Sequence, residues 1–480
     1  MLDHVLRRMS FGASARELDT FARLPVVGVI GYLLNYDRLP DDVDTKINDA
    51  AYVGVTTRGQ FAPNTVVNDA RQRWIFRMVH SQRPLQEKLA LFWHNHFATA
   101  YSKVSGAFGG EYATRMMDAR AADVPGQQRG QVQLFRDLAT GRFDELLIEV
   151  AKDPAMLVWL DGRLNVRARP QENFGRELME LFTSGVGHHT ENDVYAAARV
   201  FTGWNLRLNG DRASTATSYY QYVYNAAQHD VAAKTFTFPV MADGSRTIPA
   251  RAAADGEQDG IDLIRALARR PETAERLARR FFAFFVSEIA APSASLVTHL
   301  REAYLDNDTS IKAMLVRLFT SEEFLGSTAE FARYSWPVEY VVRSIKETGW
   351  SGLSVDTAMT PLINMGQQLY EPPDVNGWAL GAEWFSTASM LSRMNFAATL
   401  MSNQRFNLQK AAAPARATPE AFLALHLTRF SPSPLSAETS ADLLDYLRQG
   451  GAWTGSDPQL AIKAAGLARL IVGSSEYQFN

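Results

Sequence analysis

Apolar residues recur along this chain mainly at three- and four-residue intervals, the spacing of amphipathic helices. After Pro84, a residue type suited to the first helical position, Leu85, Leu89, Phe92 and His96 follow at steps of four, three and four. Phe174, Leu178, Leu181 and Phe182 form a second stripe that stops at Gly185, a natural C-terminal cap. Ser14-Ala-Arg-Glu17 and Thr190-Glu-Asn-Asp193 carry the side chains of reciprocal N-terminal caps. Pro271 opens a helix running towards Phe285, Trp336-Pro337 opens another, and residues 436–450 and 459–472 continue the pattern. The helix-ending sequence at 315–324 is echoed once, at 467–477, without the period of a repeat array.

Only one region has a period of two. Tyr219 to Tyr224 is tyrosine-rich, and Lys234-Thr-Phe-Thr-Phe-Pro239 alternates. The prediction is therefore an all-α protein, a multi-helix globular array with a small β-hairpin insertion around 218–240. Ala242 to Gly260 reads as a mobile surface loop, and Gly106 to Gly130 as an irregular connection with a helical middle. Boundaries near 125 and 330 would give an N-terminal helical lobe (1–125), a central lobe with the insertion and the candidate site (126–330), and a C-terminal lobe with a tryptophan-rich loop (331–480).

Composition narrows the chemistry. With 49 basic and 52 acidic residues the net charge is -3, which argues against nucleic acid as a partner. The pairs Arg269-Arg270 and Arg279-Arg280 have acidic neighbours and read as solvated helix faces. The absence of cysteine removes disulfides, thiolate metal sites and a cysteine nucleophile. Met1 to Phe11 lacks a signal-peptide core, and the apolar run Phe281 to Ala291 is too short for a transmembrane segment. A cytoplasmic protein is expected as written, or an exported one if a leader has been removed.

Several clusters of polar residues could carry chemistry. In Leu91-Phe-Trp-His94-Asn-His96-Phe97, an uninterrupted helix points His94 and His96 about 200° apart, with His96 on the buried face. In Gln171 to Phe182, a helical wheel puts Asn173, Glu177, Glu180 and Ser184 on one polar stripe, and Arg176 can pair with Glu172 and Glu180. Glu177 has no basic partner one turn away. The loop Gly185-Val-Gly187-His188-His189 can fold back towards these carboxylates, and imidazole with carboxylate suits a divalent metal ion. His229-Asp230, with Lys234 close behind, suggests a histidine oriented by a carboxylate. Glu371-Pro-Pro-Asp-Val-Asn-Gly377-Trp378, followed by Trp384, offers an aromatic platform for a sugar ring, or packing over a helix end. No Walker loop, dinucleotide-binding glycine motif, Gly-x-Ser-x-Gly elbow or His-Glu-x-x-His is present.

These segments, in this order, resemble a bacterial family catalogued as domain of unknown function 1800. The residues that carry the resemblance are His4 to Gly12, Glu87 to Thr99, Asp153 to Leu157 with Leu160-Asp161, Glu172 to Val194 and Ala198 to Trp204. His229-Asp230 with Lys234, and Pro372 to Trp378, complete the set. Val231-Ala-Ala233 departs from the glycine-containing turn expected there. The resemblance implies positions of interest, not an activity, and it implies export for many members.

The resulting expectation is a site closed by His188-His189, with His96, Glu177, Glu180 and His188 as ligands of a divalent metal ion. Glu177, Glu180, His94 and the His229-Asp230 pair are the candidate catalytic groups, and Trp378 and Trp384 the candidate ligand platform. A metal-activated water would make the protein a hydrolase. The alternative is a non-catalytic protein that binds a glycan, another small molecule or a protein partner, with its buried polar residues forming a structural network.

Overall fold

Pro84 has no N–H to leave unpaired in a first helical turn, and it starts the helix Pro84–His96. Every residue of that helix is buried, polar ones included, so the remaining elements pack around it. Its charges are neutralised internally. Glu87 accepts from Arg77 Nε at 2.7 Å and Arg136 Nε at 3.0 Å, while Lys88 pairs with Glu339 and donates to the Ser10 carbonyl at 2.9 Å. Without those partners each buried charge would cost several kcal/mol.

The computed structural model describes residues 1–480 and contains twenty-four α-helices, so the chain is mostly helical as its periodicity predicts. Both expected capping boxes form, Ser14 with Glu17 and Thr190 with Asp193. The helices Pro271–Phe285, Pro337–Thr348, Ala437–Arg448 and Asp457–Gly473 start or end within a few residues of their sequence signals.

The β insertion differs from expectation in its pairing. Tyr219–Tyr224 (β2) pairs antiparallel with Trp204–Asn209 (β1), from Trp204 opposite Tyr224 to Asn209 opposite Tyr219. Lys234–Thr235 (β3) pairs with Thr247–Ile248 (β4). The alternating 234–239 segment does not complete a long strand, because Asp193 claims the Thr237 N–H and hydroxyl, each at 2.7 Å. The expected loop at 242–260 contains β4 and the start of the helix Glu257–Ala268, and 106–130 holds the end of the helix Tyr101–Phe108, the helix Gly110–Asp118 and then an irregular stretch with two short 3-10 turns.

One apolar core runs from Val5 to Tyr477. The first helix ties the two ends of the chain together, with His4 Nε2 2.9 Å from the Phe324 carbonyl and Arg7 donating to Ser431. No helix is long and apolar enough to cross a membrane.

Candidate functional site

The helix Pro84–His96 continues without interruption through both histidines, so they diverge. His94 is fully buried among Trp74, Tyr370 and Trp378, edge-on to each, and neither ring nitrogen has a hydrogen-bond partner. Burial lowers its pKa to about 3. His96 lies on the opposite side, stacked on Phe92 and edge-on to Phe97. Its Nε2 is 3.1 Å from the Phe182 carbonyl, which can only accept, so Nε2 carries the proton. Burial, then the charges of Arg280 and Arg276, depress its pKa well below the usual histidine range.

The second expected cluster is reshaped by a change of helical pitch. Asn173–Glu177 is α-helical, but Leu178–Phe182 forms a turn of π-helix, which no 3.6-residue wheel anticipates. Arg176 collects Glu172 (3.3 Å), Glu180 (3.3 Å) and Glu191 (2.7 Å). His189 Nε2 stands 3.6 Å from Glu180, whereas the His188 side chain turns elsewhere, to a cleft described below. Glu177 makes no ion pair or hydrogen bond; burial and then the Glu180 charge raise its pKa. Ser184 lies beyond the helix, buried, 3.4 Å from the Thr273 hydroxyl. No three His, Asp or Glu side chains are grouped so as to hold a metal ion.

The helix ending in the π turn presents carbonyls with no partner of their own. Two cationic or N–H-bearing side chains take them: Arg276 donates through Nε and Nη2 to the Leu181 carbonyl (3.3 and 3.2 Å), and His96 to that of Phe182. Gly185, at φ +92°, lets the chain reverse there, its N–H bonded to the Met179 carbonyl at 2.9 Å.

His229 is not oriented by its sequence neighbour. Asp230 turns out to a two-pronged pair with Arg199 (2.7 and 3.1 Å). His229 Nδ1 bonds the Thr202 carbonyl at 2.8 Å, and its Nε2 is 3.2 Å from Asp259. Asp259 also takes Lys234 at 2.5 Å and Arg251 at 2.9 Å. Burial alone would raise the Asp259 pKa, but hydrogen bonds from His229 and Lys234 and the charges of Lys234 and Arg251 hold it low. His229, Lys234 and Asp259 are all fully buried, so the cluster is sealed.

A cleft of about 960 Å³ lies elsewhere. Phe92 and Asn95 contribute from the helix Pro84–His96, and Ser184 to Val186 with His188 from the loop after the π turn. Arg276, Arg279 and Arg280 contribute from Pro271–Phe285, and Asp374, Asn376, Trp378 and Glu383 from the segment expected to form the aromatic platform. That last segment is fixed by Asn95, whose Oδ1 accepts from the Trp378 N–H at 2.6 Å. Gly377, at φ +83°, is required: a Cβ there would lie 2.3 Å from the same oxygen. Both expected platform tryptophans are mainly buried. Trp378 packs on His94 while lining the cleft, and Trp384 packs on Trp336.

The arginines of Pro271–Phe285 are the residues sequence reasoning missed. Their acidic neighbours suggested a solvated face; those carboxylates also line the cleft but pair with other arginines, Glu272 with Arg270 (3.2 Å) and Glu275 with Arg301 (2.7 Å). Burial, reinforced by Arg276, lowers the Arg280 pKa to about 10, and burial lowers that of Arg276; no carboxylate offsets either. The signal was available in the spacing, since Arg280 has no acidic residue three or four positions away on either side.

Fold and site thus define a mostly helical protein with one large cleft walled by unpaired arginines. The family model described as Protein of unknown function (DUF1800) matches residues 4–479, and the chain belongs to that family. No curated protein and no solved structure shows significant similarity to it.

Proposed function

We propose that the protein is a ligand-binding protein that works through the 960 Å³ cleft, taking a small molecule or a short glycan segment. The observation supporting this is convergence. Segments around 92–95, 184–188 and 373–380, remote in sequence and all within or adjoining the blocks of family resemblance, meet at one concavity. Asn95 is committed to holding the third against the first. The volume is at the upper end of ordinary small-molecule sites, and Phe284, Trp336 and Trp378 give it an apolar lining beside polar groups.

A chain without cysteine allows a site-specific reporter. Val186, exposed beside the cleft, is changed to Cys and labelled with an environment-sensitive dye, with exposed Val27 treated alike as the control. Cellobiose, cellobiouronic acid, cellobiose 6-phosphate and inorganic phosphate are the probes. A saturable response at 186 and none at 27 supports the reading. Silence at 186 with every probe up to millimolar concentration contradicts it.

A second reading, a metal-dependent hydrolase, draws on a different observation: the unpaired Glu177 carboxyl beside Glu180, with His189 next to it. Elemental analysis of protein purified without added metal tests it. Stoichiometric divalent metal that is lost in Glu177→Gln supports this reading; metal-free protein with an unaltered variant contradicts it.

A further inference from the structure

Four carboxylates, Glu272, Glu275, Asp374 and Glu383, line the cleft, yet two of its arginines pair with none of them. Arg276 and Arg280 are one helical turn apart on the same face, partly withdrawn from water, and both line the cavity. Neither meets a carboxylate, and the acids nearest in sequence are already paired with Arg270 and Arg301. Arg276 uses Nε and Nη2 on the Leu181 carbonyl, which fixes its plane and leaves Nη1 free. Gly185 makes room for that nitrogen: a Cβ there would stand 3.3 Å from Arg276 Nη1. Two neighbouring guanidinium groups without a counter-charge, one of them fixed in place, cost stability through desolvation and mutual repulsion. Such a cost is ordinary where the missing anion belongs to a ligand.

We infer that Arg276 and Arg280 form the seat for a single oxyanion group, a phosphate, sulfate or carboxylate, borne by what the cleft binds. This rests on the cleft reading above and names the chemistry of its ligand. Planar guanidinium groups match such oxyanions through paired N–H donors. Glu272, Glu275, Asp374 and Glu383, in the same cleft, limit the ligand to a local negative charge and disfavour a dense polyanion. The remainder of the ligand would lie against Trp378, Trp336 and Phe284.

Isothermal titration calorimetry in chloride buffer, at matched ionic strength, tests the seat with inorganic phosphate, cellobiose 6-phosphate, cellobiouronic acid and cellobiose. Arg280→Gln is the informative variant, because Arg276 also serves the Leu181 carbonyl; exposed Arg317→Gln is the control. The anionic probes should bind about tenfold or more tightly than cellobiose, and Arg280→Gln should remove that advantage while Arg317→Gln keeps it. Gly185→Ala should also weaken the anions, by displacing Arg276 without changing its charge. Inorganic phosphate binding as tightly as cellobiose 6-phosphate points to a free ion; tighter binding of the sugar phosphate points to an organic ligand. Anions that bind no better than cellobiose, or an advantage that survives Arg280→Gln, overturn the seat. Cellobiose binding then leaves the cleft reading standing, whereas no binding by any probe removes both.

Discussion

The cluster around Asp259 and the cleft beside Arg280 each gather cationic side chains, and they differ in what balances those charges. Around Asp259, a single carboxylate accepts from His229, Lys234 and Arg251, and its key members are closed off from solvent. Beside Arg280, three arginines line an open cavity and none has an ion-pair partner. The first arrangement is balanced within the protein; the second leaves its arginines without a counter-charge. Polar residues in a recognisable motif therefore say little about function until compensation and access are known. His229-Asp230 looked like a site and is a brace for the β insertion, while Arg279-Arg280 looked like surface and walls the cavity.

The largest effect should come from breaking the sealed cluster. Asp259→Ala leaves fully buried Lys234 with no counter-charge, although Arg251 keeps its pair with Asp262, and should cost about 3–5 kcal/mol in denaturant unfolding. A loss under about 1 kcal/mol would mean that the cluster is not the brace described. Next comes Gly377→Ala, which puts a methyl group against Asn95 at a positive φ. It should destabilise by about 2 kcal/mol and raise proteolytic sensitivity at 372–380, with the Asp259 cluster intact.

The pH dependence sharpens the contrast through histidines buried without a charge partner. His4 and His94 are depressed to about 3, and His80 and His426 to about 4, in each case mainly by burial. The unfolded chain protonates first, near 6.5, so stability is whole above that value and falls as the pH drops towards the folded values. At pH 5 each such histidine should cost about 2 kcal/mol. His94→Phe should reduce the slope of unfolding free energy against pH by one proton across that window, whatever its offset at pH 7. An unchanged slope would show that His94 is protonated or solvated in the folded protein. The smallest effect belongs to Asp230→Asn, since its pair with Arg199 is partly solvated; about 1 kcal/mol or less is expected from thermal unfolding.

What the sequence made legible was local. Ser14 with Glu17, Thr190 with Asp193, and the prolines at 84, 271 and 337 act on backbone groups within one turn, and each marks a helix start. The divergence of His94 and His96 followed from helical geometry alone. Trp204-Asn-Leu-Arg-Leu-Asn209 also alternates strictly, so the first strand carries a local signal as clear as that of the tyrosines at 219–224. The rest depended on distance along the chain. Asp193 diverts Thr237 across 44 residues, Asp259 reaches His229 across 30, and Asn95 meets Trp378 across 283. The π turn at Leu178–Phe182 has no periodic signature, and it directs the Leu181 and Phe182 carbonyls to Arg276 and His96.

The most direct measurement sets the unfolding free energy of Arg280→Gln beside that of the unaltered protein in ligand-free chloride buffer. An uncompensated guanidinium kept for a ligand predicts equal or greater stability once it is removed. A loss comparable to that of Asp259→Ala would make Arg280 part of the scaffold and contradict the contrast between the two regions.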